Sequence, residues 1–112
     1  MTSQYKTLAE ILDIISKDIR IIFISFKAKW CNPCKKIEPF ITELSNSELS
    51  EYVNFNSIDI DNSKDAVDYF DIESVPTFMV YLNGKKRGEI KGIDKKEITN
   101  LLELTMKEHN QK

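Results

Sequence analysis

Cys31 and Cys34 are the only thiols in this 112-residue chain, and Asn32 and Pro33 stand between them. Trp30 precedes the pair and Lys35-Lys36 follow it, where the apolar run Ile19 to Phe26 gives way to a helical pattern over residues 35 to 45. Thiols at i and i+3 on the first turn of a helix are close enough to bond to each other. One of them also faces the unpaired amides of the helix start. Those amides, the helix dipole and the neighbouring lysines favour a thiolate, the form of cysteine that attacks.

A pair so placed could staple, bind metal or react. As a staple it is weak, because stabilisation by a cross-link grows with the loop it closes and this loop is very short. A structural zinc takes four ligands, and the chain adds to the two thiols only His109, in a lysine-rich C-terminal stretch. No metal site is expected within one chain; one shared between two chains stays open. An ordinary buried cysteine is the plain alternative for either thiol alone. It leaves Pro33 and a helix start at this point unexplained.

Size and charge narrow the setting. The length suits one domain, residues 1–112, able to bury a core without cross-links. A formal charge of −2 argues against nucleic acid as the main partner. Ile19 to Phe26 is too short to span a bilayer, and acids and lysines interrupt the apolar positions of residues 1–18, so neither membrane nor secretion is expected. In the reducing cytoplasm that remains, a cysteine pair is more often catalytic than structural. Lys27, Lys29, Lys35 and Lys36 crowd residues 27–36 with no acid, whereas residues 59–73 hold Asp59, Asp61, Asp65, Asp68, Asp71 and Glu73 against Lys64. The basic cluster is either solvated surface or a patch that holds the thiolate and steers acidic partners.

Helices and strands must position the pair. Thr7 and Glu10 form a capping box ahead of a helix over 8–17, whose Leu8, Ile11, Leu12 and Ile15 share one face. Ile19 to Phe26 has the composition of a strand buried on both faces. Ile37, Phe40, Ile41 and Leu44 predict a second helix from Pro33 to near Ser45–Ser50, with a kink at Pro39. Val53 to Asp61 is a strand and Ser63 to Phe70 a short helix. Asn83-Gly84 joins Thr77–Leu82 to Lys85–Lys91 as a hairpin. Asp94 and Glu97 repeat the capping signature before a last helix carrying Ile98, Leu101, Leu102 and Thr105. This order describes an α/β fold, a mixed central sheet with helices on both faces.

The element order, together with Trp30-Cys31-Asn32-Pro33-Cys34-Lys35, resembles the thioredoxin family. Pro39 falls at that family's helix-kinking proline, Val75-Pro76-Thr77 at its cis-proline segment and Gly92 at its glycine after the hairpin, so the likeness runs from about Ile19 onward. It implies a thioredoxin fold and a thiol-disulfide oxidoreductase that reduces protein disulfides through a mixed disulfide, Cys31 attacking and Cys34 resolving. It implies no cofactor, disulfide-containing client proteins, a thioredoxin reductase or equivalent for recycling, and a monomer. Trp30, Val75, Pro76 and Gly92 would bind substrate, with the Val75 main chain pairing to an extended segment. Asn32, Pro33, Ser25 and Lys35 would tune the dithiol. Plain core packing is the other reading of Trp30.

Departures from the family matter as much. Ser25 stands where thioredoxins usually bury an aspartate, Lys27 where they carry a second tryptophan, Ser57 where they have lysine and Asn32 where they have glycine. A serine hydroxyl does not ionise near neutral pH, so the usual base for the second thiol is missing, to be replaced by water or another carboxylate. The rival function is a thioredoxin-fold binding or adaptor subunit that uses the surface around Trp30, Pro76 and Gly92 with little redox turnover.

Overall fold

The computed structural model describes residues 5–110. Its elements are α1 (Leu8–Lys17), β1 (Ile21–Lys27), α2 (Asn32–Ser45), a 3₁₀ turn (Glu48–Glu51), β2 (Val53–Asp59), α3 (Lys64–Phe70), β3 (Thr77–Leu82), β4 (Lys85–Lys91) and α4 (Lys95–His109). The sheet order is β2-β1-β3-β4, with β1 parallel to β2 and antiparallel to β3. Tyr5 bridges to Ser57 on the outer side of β2.

Burial of β1 explains its continuous apolar composition. Alternate side chains point to opposite faces of a strand. Ile21 and Phe23 join Ile37 and Ile41 of α2 and Ile98 and Leu102 of α4 in one core cluster. Ile22, Ile24 and Phe26 join Ile11 and Ile15 of α1 and Ala66 and Phe70 of α3 in the other. The helices therefore cover both faces, and each such apolar side chain taken fully out of water contributes about 1.5–3 kcal/mol. On this alternation Ser25 and Lys27 belong to the α2 face.

Local signals end the elements where chemistry requires. The Thr7 hydroxyl accepts from the Glu10 amide at 3.1 Å while the Glu10 carboxylate accepts from the Thr7 amide at 2.8 Å, which completes the capping box. Before α4 only half of that device forms, the Asp94 carboxylate accepting from the Glu97 amide at 3.1 Å. Asn83 and Gly84 both take positive φ, 54° and 80°, as a tight hairpin turn with the right twist demands.

Several boundaries differ from the sequence expectation. β1 starts at Ile21, not Ile19, because Ile19 is 78% exposed and outside the ladder. β1 also runs one residue further, to Lys27, paired with Asp59. β2 stops at Asp59, where its carboxylate accepts from the Asp61 amide and turns the chain. Helix α2 continues through Pro39 to Ser45. Proline there removes a single donor, to the carbonyl of Lys35, on the exposed side of an amphipathic helix whose Cys34, Ile37 and Ile41 are buried. His109 is the last residue of α4 and its Nε2 lies 3.2 Å from the Ile19 carbonyl oxygen.

Candidate active site

Cys31 is the residue that caps α2. Its backbone is extended, and its sulfur accepts a hydrogen bond from the Cys34 amide at 3.1 Å. Pro33 sits in the first turn, where an amide hydrogen would have no helical partner, so its ring costs nothing and fixes φ for helix entry. The two sulfurs are joined as a disulfide, with Cα atoms 5.3 Å apart. Both cysteines are about 3% exposed and pack with Ala28, Ile60 and Val75 in a small cluster of their own at the end of the sheet.

The segment facing the pair is set by the Val75–Pro76 peptide bond, which is cis. Val75 packs on the cysteine cluster, Pro76 and Cys34 line one narrow pocket, and the Pro76 carbonyl accepts from the Gly92 amide at 3.0 Å. Gly92 has φ of 101°, a conformation that a side chain would strain. The family-matched positions Cys31, Cys34, Val75, Pro76 and Gly92 thus converge from the start of α2, the loop before β3 and the loop after β4. Trp30 is 65% exposed, which rules out core packing for it. Its indole Nε1 donates to Asp61 Oδ2 at 2.8 Å.

Ser25, Lys27 and Ser57 lie on neighbouring strands beside the pair. Ser25 is buried, pairs with Ser57 and Phe78 across the sheet, and its hydroxyl has no hydrogen-bond partner among the described residues. It shares the narrow pocket with Cys34, Lys27 and Glu38, and that pocket has no room for a water-sized sphere. Lys27 is not part of an open basic patch. Its side chain is only 17% exposed, its Nζ donates to Glu38 Oε1 at 2.6 Å and it lies 5.5 Å from the centre of the Tyr5 ring. Lys29, Lys35 and Lys36 are exposed and make no ion pair among the described residues.

Asp61 and Glu38 were missed by reading the sequence. Glu38 had a signal, since it stands four residues after Cys34 on the same helix face; Asp61 is brought to Trp30 by the fold alone. Among the described residues no group of three or more His, Cys, Asp or Glu side chains could hold a metal ion, and no helix is long and apolar enough to cross a membrane.

The thioredoxin family model matches residues 4–104. The chain belongs to the thioredoxin family. Thioredoxin from Ictalurus punctatus is 37% identical over 79 residues, covering 70% of this chain and 74% of that protein. Human thioredoxin is 35% identical over the same length, covering 70% and 73%. Among solved structures, Plasmodium falciparum thioredoxin superposes with a TM-score of 0.78 at 33% identity, covering 87% of this chain and 92% of its own. Trypanosoma brucei brucei thioredoxin gives 0.83 at 26% identity, covering 92% and 91%. With its Cys31–Cys34 pair, this thioredoxin-family chain is a thiol-disulfide oxidoreductase of the disulfide-reductase type. Membership brings with it disulfide-bearing clients and a reductase as partner classes.

Proposed function

We propose that Cys31 attacks the client disulfide and Cys34 resolves the mixed disulfide, within a single domain spanning residues 1–112. The observation that carries this assignment is the Cys34 amide donating to the Cys31 sulfur at 3.1 Å at the head of α2. In the reduced protein that donor and the helix dipole would hold negative charge on Cys31, favouring the thiolate over the neutral thiol. The Cys31 thiolate attacks one sulfur of the client disulfide and releases the other as a thiolate that takes a proton from solvent. Cys34 loses its proton and attacks the Cys31 sulfur, breaking the bond to the client. The client gains two electrons and the Cys31–Cys34 disulfide is the oxidised product.

Extended clients are read by the Val75 main chain beside Pro76, with Trp30 and Gly92 on either side, and Asn32, Pro33, Ser25 and Lys35 tune the pair. Support comes from the packing of Val75 on the cysteines and from the exposure of Trp30. A thioredoxin reductase or equivalent returns the disulfide to the dithiol, no cofactor takes part, and the protein works as a cytoplasmic monomer. Its Trp-Cys-Asn-Pro-Cys motif is the functional signature.

Incubation of single variants with insulin tests the roles. Cys31→Ser is expected to abolish reduction, and Cys34→Ser to accumulate a covalent complex that dithiothreitol releases. Trapping by Cys31→Ser instead would reverse the assignment.

A further inference from the structure

We infer that Glu38 is the proton acceptor for Cys34 when the mixed disulfide is resolved, and that Lys27 positions its carboxylate. This rests on the reading of Cys34 as the resolving thiol. Three observations carry it. Cys34 and Glu38 are i and i+4 on α2, so their side chains stand one above the other on the same face. Both line the narrow pocket under Ser25 and also the neighbouring cleft of about 400 Å³, which opens toward Tyr5, Lys29 and Lys35. Lys27 reaches from the end of β1 to Glu38 at 2.6 Å and is itself largely buried, which fixes one carboxylate oxygen and leaves the other available.

The alternatives on this face are weaker. The Ser25 hydroxyl is not a base near neutral pH, and the pocket beside it is too tight for water, which leaves the neighbouring cleft, lined by Glu38, as the side of Cys34 open to solvent. Ser57, the strand partner of Ser25, is equally neutral. The charged groups around Glu38 are Lys27 from β1, Lys29 from the following loop, Lys35, Lys36 and Glu43 on its own helix and Lys95 at the start of α4, with the Tyr5 phenol beyond Lys27; buried Asp59, the strand partner of Lys27, accepts from the Asp61 amide and the Asn62 side chain. Glu38 is the carboxylate of this set that also shares a pocket with Cys34. Its carboxylate is partly exposed, 44% by side chain, so a proton taken from Cys34 passes on to solvent.

The chemistry is one proton transfer coupled to one exchange. The Cys34 S–H bond breaks toward a Glu38 oxygen, the Cys34 sulfur bonds to the Cys31 sulfur, and the client thiolate departs with the electron pair of the bond it loses.

Reduced protein mixed with 5,5′-dithiobis(2-nitrobenzoate) separates the steps. A first thionitrobenzoate is released as Cys31 is capped and a second as Cys34 resolves, both read by absorbance in a stopped-flow instrument. Glu38→Gln is expected to slow the second release about tenfold or more near pH 7, as loss of a general base does. The first release should be unchanged, and the deficit should close toward about pH 9.5, where a free thiol ionises unaided. Lys27→Met should slow the same phase to a smaller degree, and Glu38→Asp should recover part of the loss. A second phase unaltered by Glu38→Gln at every pH, or both phases slowed equally at every pH, overturns the inference. Failure of the underlying reading looks different: Cys34→Ser would lose the fast first release and Cys31→Ser would keep it, which makes Cys34 the attacking thiol, and the inference would fall with it.

Discussion

Ser25→Asp tests whether the pocket behind Cys34 is as dry as its lining implies. Ser25 is 4% exposed and its hydroxyl lacks a partner among the described residues, so a carboxyl placed there is desolvated on arrival. Burial of this kind raises a carboxyl by about three pH units or more, and each unit corresponds to about 1.4 kcal/mol, so the ionised form costs about 4 kcal/mol before compensation. Lys27, lining the same pocket, returns part of this, leaving a net cost of about 2–3 kcal/mol at pH 8 against a total stability of about 5–15 kcal/mol. The variant should stay folded. Because the folded-state acid binds its proton more tightly than the unfolded one, the cost is small near pH 4, grows as pH rises above the unfolded value and levels off above the raised value. Urea unfolding of the oxidised protein at pH 4.5, 6, 7 and 8.5 reads this curve directly. The same carboxyl, partly ionised near neutrality beside Cys34, should speed the second release of thionitrobenzoate between pH 6 and 8. A stability cost independent of pH would show that the site is wet, and resolution no faster at any pH would make the departure at Ser25 irrelevant to proton transfer.

Other outcomes follow from the same geometry. Asp61→Ala removes the acceptor of the Trp30 indole in an exposed pair, so stability should fall by less than about 1 kcal/mol in urea. KM for protein disulfides should nevertheless rise severalfold as the ring loses its fixed pose; an unchanged KM would remove Trp30 from the client surface. With Lys29, Lys35 and Lys36 exposed and unpaired among the described residues, kcat/KM on an acidic client should fall between about 10 and 100 mM salt, as the screening length shrinks from about 30 to about 10 Å. No salt effect would make the lysines ordinary solvated surface. Asp18 ends α1 and its carboxylate is held below the usual range, first by Arg20, which donates at 2.8 Å, with further bonds from Asn54. Burial opposes this in part. A lowered folded-state value means stability that is present above about pH 5 and lost as pH falls through that value, so Asp18→Asn should flatten the acid limb of a stability–pH curve measured by thermal unfolding.

Periodicity made most of the scaffold legible. Helical spacing at Leu8, Ile11 and Ile15 and at Ile37 and Ile41, the Thr7–Glu10 box and the Asn83-Gly84 turn are local devices whose physics needs no distant partner. Strand ends were harder to read. Ile19 is as apolar as Ile21, and only the pairing of Ile21 with Val53 decides which of them joins the sheet. The basic cluster around the cysteines was misjudged in one member for the same reason, since nothing in the order of residues announces that Lys27 faces Glu38 across the gap between β1 and α2.

The chain alone therefore determined the cysteine pair and its place at a helix start, because both depend on neighbours within a few residues, while Pro76 and Gly92 were marked by the family likeness and not by local spacing. The tertiary structure alone decided that Trp30 is exposed and tethered to Asp61, that the Ser25 hydroxyl is left unpaired among the described residues, and that Glu38 and Lys27 meet beside Cys34. Those are contacts between elements distant in the chain, and side-chain partnership across a sheet and a helix is set by register and packing rather than by spacing along the sequence.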